Sequence, residues 1–318
     1  MKTKLTFLTL LMVSFICKAQ SIEKFSVDSG GASTTVGNIN ILYTIGEVNV
    51  QELSTPSVSM SEGFINANFK IKIDPKLFLQ GPMLNPVIAG QMNDNLRSGG
   101  LIPTTSPYSD GATCNASVFS VTGNNAIVDW VWVELRAAND NTKRINGKSA
   151  LVQRDGDVVG LDGVSNLVMS AAPTNYYVVV DHRNHNGAMT SGVIGLNETT
   201  PTVVDFTSNS LATYGVNARA LLVSGNMALW AGDANGNGTI RFLGPGNDSG
   251  FIKAFILGIS SSNFFPYTGY HNADINMNGQ VRYLGPGNDT GLLKTIVLAH
   301  PSNGASSNFY PIQTQIPN

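Results

Sequence analysis

The chain has 318 residues, of which only 13% are charged and 33 are glycine, with 19 basic against 21 acidic side chains. That length holds two or three domains, and so much glycine with so little charge points to strands and turns rather than to a helical bundle. A slightly acidic balance provides no electrostatic footprint for nucleic acid or for an anionic membrane surface.

Residues 1–19 read as a signal peptide for secretion: Lys2 and Lys4 precede an apolar run over residues 5–16, and Ala19 supplies a small residue for cleavage before Gln20. The run is too short for a transmembrane segment in the mature chain. Ile16 before Cys17 is too large for a lipoprotein signal. With Lys2, Lys4 and Lys18 gone, the 19 bases fall to 16 against 21 acids, a net charge near −5. Cys114 is then the one remaining thiol, so stability has to come from apolar cores and metal rather than an intrachain disulfide. The expected location is extracellular or on the cell surface.

Residues 20–70 read as a short N-terminal β module, with strands over residues 39–45 and 58–69 and a turn at Gly30-Gly31. Residues 71–76, which hold Asp74-Pro75, are expected to be a linker. Residues 77–228 have the rhythm of a β-sandwich, with strand-like runs at 116–122, 126–136, 149–154, 176–182, 202–206 and 219–223. The run 126–136 is apolar on both faces, Val128, Trp130 and Trp132 on one and Val131, Val133 and Leu135 on the other, so it should be a central, covered strand.

The sandwich holds several polar candidates. His182 and His185 form a His-x-x-His pair beside Asp181, but no further Cys or His completes a zinc site, so hydrogen bonding that stabilises a loop is the expected role. Asp155, Asp157 and Asp162 could bracket a calcium ion, although two Asp-Gly turns explain them more cheaply. Glycoside hydrolysis needs two acids held across the scissile bond, and nothing pairs any two of Asp129, Glu134 and Asp181. No Gly-x-Ser-x-Gly elbow or phosphate-binding Gly-Lys-Ser/Thr loop is present. Trp130, Trp132, Tyr176 and Tyr177 could form a platform for a sugar ring, but core packing is the simpler use of such large side chains.

The chemistry is written most openly in residues 229–318. Asp233-Ala-Asn-Gly-Asn-Gly238 returns 41 residues later as Asp274-Ile-Asn-Met-Asn-Gly279, and residues 241–250 and 282–291 are identical at eight of ten positions. Asp-x-Asn-x-Asn-Gly is the first half of a calcium loop, with oxygen ligands on alternate residues and glycine at the sharp turn. The acids that would close the loops, Asp248 and Asp289, stand at position sixteen instead of twelve, an offset that a folded-out Gly-Pro-Gly bulge would absorb. After each acid, apolar residues recur at helical spacing: Phe251, Ile252, Phe255, Ile256 and Ile259, then Leu292, Leu293, Ile296 and Val297. The matching tails Ser262-Asn-Phe-Phe-Pro266 and Ser307-Asn-Phe-Tyr-Pro311 are expected to cap the helices.

Two loop–helix units in tandem, each with a lysine five residues past its last acid (Lys253 and Lys294), resemble the dockerin family of calcium-folded modules that plug into cohesin domains. The resemblance implies Ca2+ ligands at Asp233, Asn235, Asn237, Thr239 and Asp248 in the first copy and at Asp274, Asn276, Asn278, Gln280 and Asp289 in the second. Asn247 or Asn288 could stand in for the last acid. The N-terminal phrases Tyr43-Thr-Ile-Gly-Glu47 and Ser61-Glu-Gly-Phe64 resemble a short β module of secreted proteins of gliding Gram-negative bacteria. The block from Leu77-Phe-Leu-Gln-Gly81 to Asp233 is similar to domains that precede calcium repeats in such proteins, some labelled hemagglutinin or adhesin.

The expected protein is mainly β: a β-sandwich with a short N-terminal β module and a C-terminal α-helical, dockerin-like calcium-binding module. The expected function is that of a secreted, non-catalytic calcium-binding surface protein whose partner is a cohesin-like or other surface protein, or a glycan. The alternative is an accessory, carbohydrate-binding and scaffold-docking, component of polysaccharide degradation.

Overall fold

The computed structural model describes four strands between residues 30 and 62 and the continuous stretch 69–317. The expected signal peptide, 1–19, lies outside the described residues. The chain divides into two compact units, residues 1–68 and 69–318. In the first unit β1 (Gly30–Val36) pairs antiparallel with β2 (Ile39–Ile45), and β3 (Gln51–Thr55) with β4 (Val58–Glu62). Gly30 and Gly31, expected in a turn, are instead the first ladder residues of β1, opposite Ile45 and Thr44.

The second unit opens with β5 (Ile71–Lys76), which overturns the expected linker. Ile71, Ile73 and Pro75 are buried while Lys72, Asp74 and Lys76 are half-buried, and this two-residue period outweighs the Asp-Pro signal. A single turn, α1 (Asn95–Ser98), follows. Residues 116–120, expected as a strand, form a 3-10 turn because the Asn115 side chain accepts from the Ser117 N–H and only Val118 is buried. The main strands are β6 (Ile127–Ala137), β7 (Asp140–Gln153), β8 (Val158–Val159), β9 (Leu167–Met169), β10 (Asn175–His182), β11 (His185–Met189), β12 (Ile194–Gly195) and β13 (Thr202–Asp205). Short strands β14 (Ala220–Leu221), β15 (Met227–Ala228) and β16 (Trp230–Ala231) complete the body.

Among the described residues one sheet runs β16-β11-β10-β6-β7-β8, with β12 beside β10, and a second runs β13-β5-β9. β6 is central as expected, and Trp130, Val131, Val133 and Leu135 on it are fully buried. Both sheets feed one apolar core, where Ile71, Ile73, Leu167, Met169 and Val204 join Val131, Val133, Leu151 and Val178. The body sheet extends through β16, past residue 228, so its edge strand ends two residues before Asp233.

The remainder is two loop–helix units. The first has β17 (Thr239–Ile240), α2 (Asp248–Ile259) and β18 (Tyr267–Thr268); the second has β19 (Gln280–Val281), α3 (Asp289–Ala299) and β20 (Ile312–Gln313). The two copies exchange partners. β17 pairs with β20, and β18 with β19, so the strand after each helix is laid on the other copy's loop. Leu243 N–H donates to Asn308 O and Leu284 N–H to Asn263 O. Lys253 lies over the Tyr283 ring and Lys294 over the Phe242 ring, each at 5.8 Å from the centroid. Ile240, Val281, Ile252, Ile256, Leu293, Ile296 and Val297 build a second core. Phe264 and Phe309 do not cap their own helices. They are exposed and lie near the bulge glycines of the opposite copy, Gly285 and Gly244. The fold is therefore mainly β with several sheets, and among the described residues no helix is long and apolar enough to cross a membrane.

Candidate metal centre

The two loops are built by the same local hydrogen bonds. Asp233 accepts from the N–H groups of Asn237 (3.0 Å) and Gly238 (2.8 Å), and Asp274 from those of Asn278 (3.1 Å) and Gly279 (2.8 Å). Asn235 Oδ1 accepts from Asn237 N–H, and Asn237 Oδ1 from Thr239 N–H. Asn276 and Asn278 repeat this with Asn278 and Gln280. Gly238 and Gly279 have φ of 77° and 87°, the left-handed turn expected of them.

The six residues between Arg241 and Asp248 fold out as a bulge. Asp248 N–H donates to Arg241 O (2.9 Å), and Arg241 N–H donates back to Asp248 Oδ2 (2.8 Å); Asp289 and Arg282 repeat both bonds at 3.0 and 2.8 Å. Asp248 Oδ1 then takes the N–H of Asn235, and Asp289 Oδ1 that of Ile275. The acid at position sixteen is thus returned to the loop that position one opens. Asn247 and Asn288 are committed elsewhere: each accepts from a helix N–H (Gly250 or Gly291) and donates into the bulge (Gly244 O or Gly285 O). That leaves Asp248 and Asp289 as the candidate closing ligands. Gln280 Oε1 is occupied by Arg282, which leaves its backbone carbonyl as the group it can offer.

Among the described residues no three of His, Cys, Asp and Glu gather in a metal-holding group. Each loop instead brings together two carboxylates and two asparagine amide oxygens, the hard neutral and anionic donors that calcium selects over softer ligands. Asp248, Asp274 and Asp289 are fully buried. Burial, reinforced by Asp233, pushes Asp248 up to about 7 against the opposing bond from Arg241 N–H. Burial raises Asp274 to about 7 although Arg183 pulls it down, and burial and Asp274 together push Asp289 well above the carboxylate range. Burial also raises Asp233. Among the described residues no basic side chain bonds to these carboxylates, so a bound cation would remove a desolvation cost that the chain alone leaves in place.

The copies differ in where they sit. Met277 takes the place of Gly236 in the repeat, at φ 56°, and its side chain is 1% exposed within the core of the body. It pegs the second loop to the two-sheet body. Gly81 allows that approach, because a Cβ there would come within 2.2 Å of Ile275 O. We expect Met277→Ala to cost about 2–4 kcal/mol in urea unfolding. Met277→Gly should be no less stable than the alanine variant, because glycine accepts the left-handed backbone. An alanine variant clearly more stable than the glycine one would show that the positive φ carries no strain.

The histidine pair belongs to the same junction. Gly81 N–H donates to His185 Nε2 (3.1 Å), so His185 carries its proton on Nδ1, 2.7 Å from Asn184 Oδ1 and 3.0 Å from His182 Nδ1. His182 Nε2–H then points at Asp129 Oδ2, 3.2 Å away. Asp129 also accepts from Trp130 N–H, Tyr270 O–H and Arg183 Nε–H. Arg183 and Asn184 reach the second copy, at His271 O (2.8 Å) and Asp274 O (2.8 Å), and Asn186 reaches Ile312 O. The expected loop-stabilising role is present and larger in scope: residues 182–186 staple the body to the repeats. The sequence offered one signal for this, a dense polar run of His, Arg and Asn inside an apolar domain.

The remaining candidates are placed apart. Asp155 accepts from Asp157 N–H and Asp162 from the N–H groups of Val164 and Ser165, so these two acids form turns, while Asp157 pairs with Lys76 at 2.5 Å. Glu134 is tied to Arg136 at 2.6 Å. Trp130 and Tyr176 are core residues. Comparison with models of protein families, with curated proteins and with solved structures returned no match to this chain.

Proposed function

We propose that this chain is an exported, non-catalytic calcium-binding surface protein, in which a two-sheet body meets a protein or glycan partner and a dockerin-like tandem module rigidifies or docks the C-terminus. One observation carries the reading: two loops 41 residues apart each enclose a buried pair of carboxylates, bonded by no side-chain cation among the described residues, together with two asparagine amide oxygens. Asp233, Asn235, Asn237, the Thr239 carbonyl and Asp248 would hold one ion; Asp274, Asn276, Asn278, the Gln280 carbonyl and Asp289 would hold the other. The ion supplies the positive charge that lets both carboxylates stay ionised out of water. The chain's own groups orient the oxygens. With two carboxylates per loop, affinity belongs at the weak end of the calcium range, roughly 10⁻⁵ to 10⁻³ M. Calorimetric titration of the full chain should show two ions bound. The absence of heat at millimolar calcium would overturn the reading.

Calcium-saturated protein should also lose stability in mild acid. Burial lowers His182, His185, His271 and His300 from the ordinary histidine value. Below about pH 6.5 the four histidines therefore bind more protons in the unfolded chain than in the folded one. The histidine contribution is fully present above that pH and is lost as pH falls through it. Asp181, raised to about 7 chiefly by burial, works in the opposite direction but through one proton. The urea midpoint in saturating calcium should be lower at pH 5.5 than at pH 7.5. A midpoint that rises on acidification would mean that the histidines are not held neutral.

A further inference from the structure

A cleft of about 530 Å3 lies between body segment 81–95 and the second loop with the start of α3. That volume falls within the range of small-molecule sites. Asn85 and Asn95 line it from the body, Asn276 and Asn278 from the loop, and Leu84 and Leu292 give it apolar patches. Among the described residues no acidic or basic side chain lines it.

The two copies differ at this point. In the first, Asn235 Nδ2 and Asn237 Nδ2 both donate to Gly246 O, at 3.0 and 3.2 Å. In the second, the same amides fold their oxygens into the loop as before, yet make no bond to Gly287 O. Their N–H groups are left for the cleft. The neighbouring asparagines divide the same way: Asn93 is spent on Val87 N–H and Asn288 on the helix start, while Asn85 and Asn95 keep free amides. Four asparagines with uncommitted N–H groups, two of which (Asn85 and Asn95) also keep a free amide oxygen while those of Asn276 and Asn278 face the loop, with leucine beside them and no charge, match adjacent hydroxyl groups on a sugar ring with apolar C–H faces.

We propose that this cleft binds a neutral oligosaccharide and that the second calcium loop organises it. The proposal rests on the calcium reading for its dependence on the ion: a cation on the Asn276 and Asn278 oxygens draws electron density from the amides and makes their N–H groups stronger donors.

The test is calorimetry of the full chain against gluco-, xylo-, manno- and galacto-oligosaccharides, in millimolar calcium and in chelator, with calcium heat and melting temperature recorded on the same samples. At least one sugar should bind, more tightly with calcium. Asn85→Gly, which keeps the left-handed backbone at φ 52°, combined with Asn95→Ala should weaken binding at least tenfold without changing calcium heat or melting temperature. Asn95→Asp alone, at an exposed position, should also weaken it. Failure of every neutral sugar to bind calcium-loaded protein, binding that the variants leave intact, or binding confined to charged polysaccharides or to a protein partner overturns the proposal. Calcium binding without sugar binding sinks the cleft alone. Sugar binding that the variants abolish, in protein that takes up no calcium, sinks the calcium reading and leaves the cleft standing.

Discussion

Saturating calcium should raise the melting temperature of the full chain by roughly 10–20 °C. An ion at about one hundred times its dissociation constant stabilises by about 2.7 kcal/mol per site, and a domain of 150–250 residues moves about 2–4 °C for each kcal/mol. Two sites give the stated range. Both loops are attached to the main cores, through Ile240 and Val281 beneath them and through Met277 in the body, so the binding energy should appear in global unfolding rather than in local fraying. The double substitution Asp248→Asn and Asp289→Asn should abolish most of the shift, since it removes half of each loop's carboxylate charge. It conserves shape but gives up one backbone N–H bond per site, where an amide nitrogen replaces an accepting oxygen, so in chelator its melting temperature should fall only slightly and by much less than in calcium. Equal loss in calcium and in chelator would identify the acids as ordinary turn residues.

Asp129→Asn should destabilise the 69–318 unit by about 3–5 kcal/mol, the cost of stranding a buried charge. Arg183 lies 2.9 Å from the Asp129 carboxylate, and both side chains are almost wholly out of water. Burial by itself would raise the Asp129 carboxyl, but Arg183 and then His182 outweigh it and hold the group below its ordinary value. Asparagine would keep the size and lose the charge, leaving the guanidinium against Tyr270, 4.1 Å from the ring centroid, with no counter-ion. At about 2–4 °C for each kcal/mol, the melting temperature should fall by roughly 6–20 °C. Adding Arg183→Met should recover part of the loss, because an apolar pair of similar volume needs no partner. A single variant within about 1 kcal/mol of wild type would mean the ion pair is solvated. This role removes Asp129 from the acids available for catalysis, since its oxygens are fully engaged beneath the surface.

Residues whose meaning is local were readable in advance. Val131, Val133 and Leu135 alternate with Val128, Trp130 and Trp132, and a strand apolar on both faces has to lie within a sheet. The helices after Asp248 and Asp289 follow from apolar spacing and from the Asn-Asp-Ser/Thr-Gly start. Readings based on a single strong residue type fared worse. Asp74-Pro75 suggested a linker, but β9 ends opposite Ile73, before the proline, so the missing N–H removes no bond from that ladder. Gly30-Gly31 suggested a turn, yet a glycine pair can also open a strand when a partner strand supplies the ladder. Met277 was visible only as a departure from the repeat.

The sequence by itself determined the mainly β character, the duplication, the oxygen-rich first half of each loop and the helix behind it, because these depend on periodicity and on neighbours a few residues away. Only the tertiary structure decided that each tail is laid on the opposite copy, and that residues 182–186 with Met277 lock the second copy to the body. Those facts depend on contacts between residues tens to more than a hundred positions apart. Such contacts are set by which surfaces can be buried together, and no local pattern encodes them.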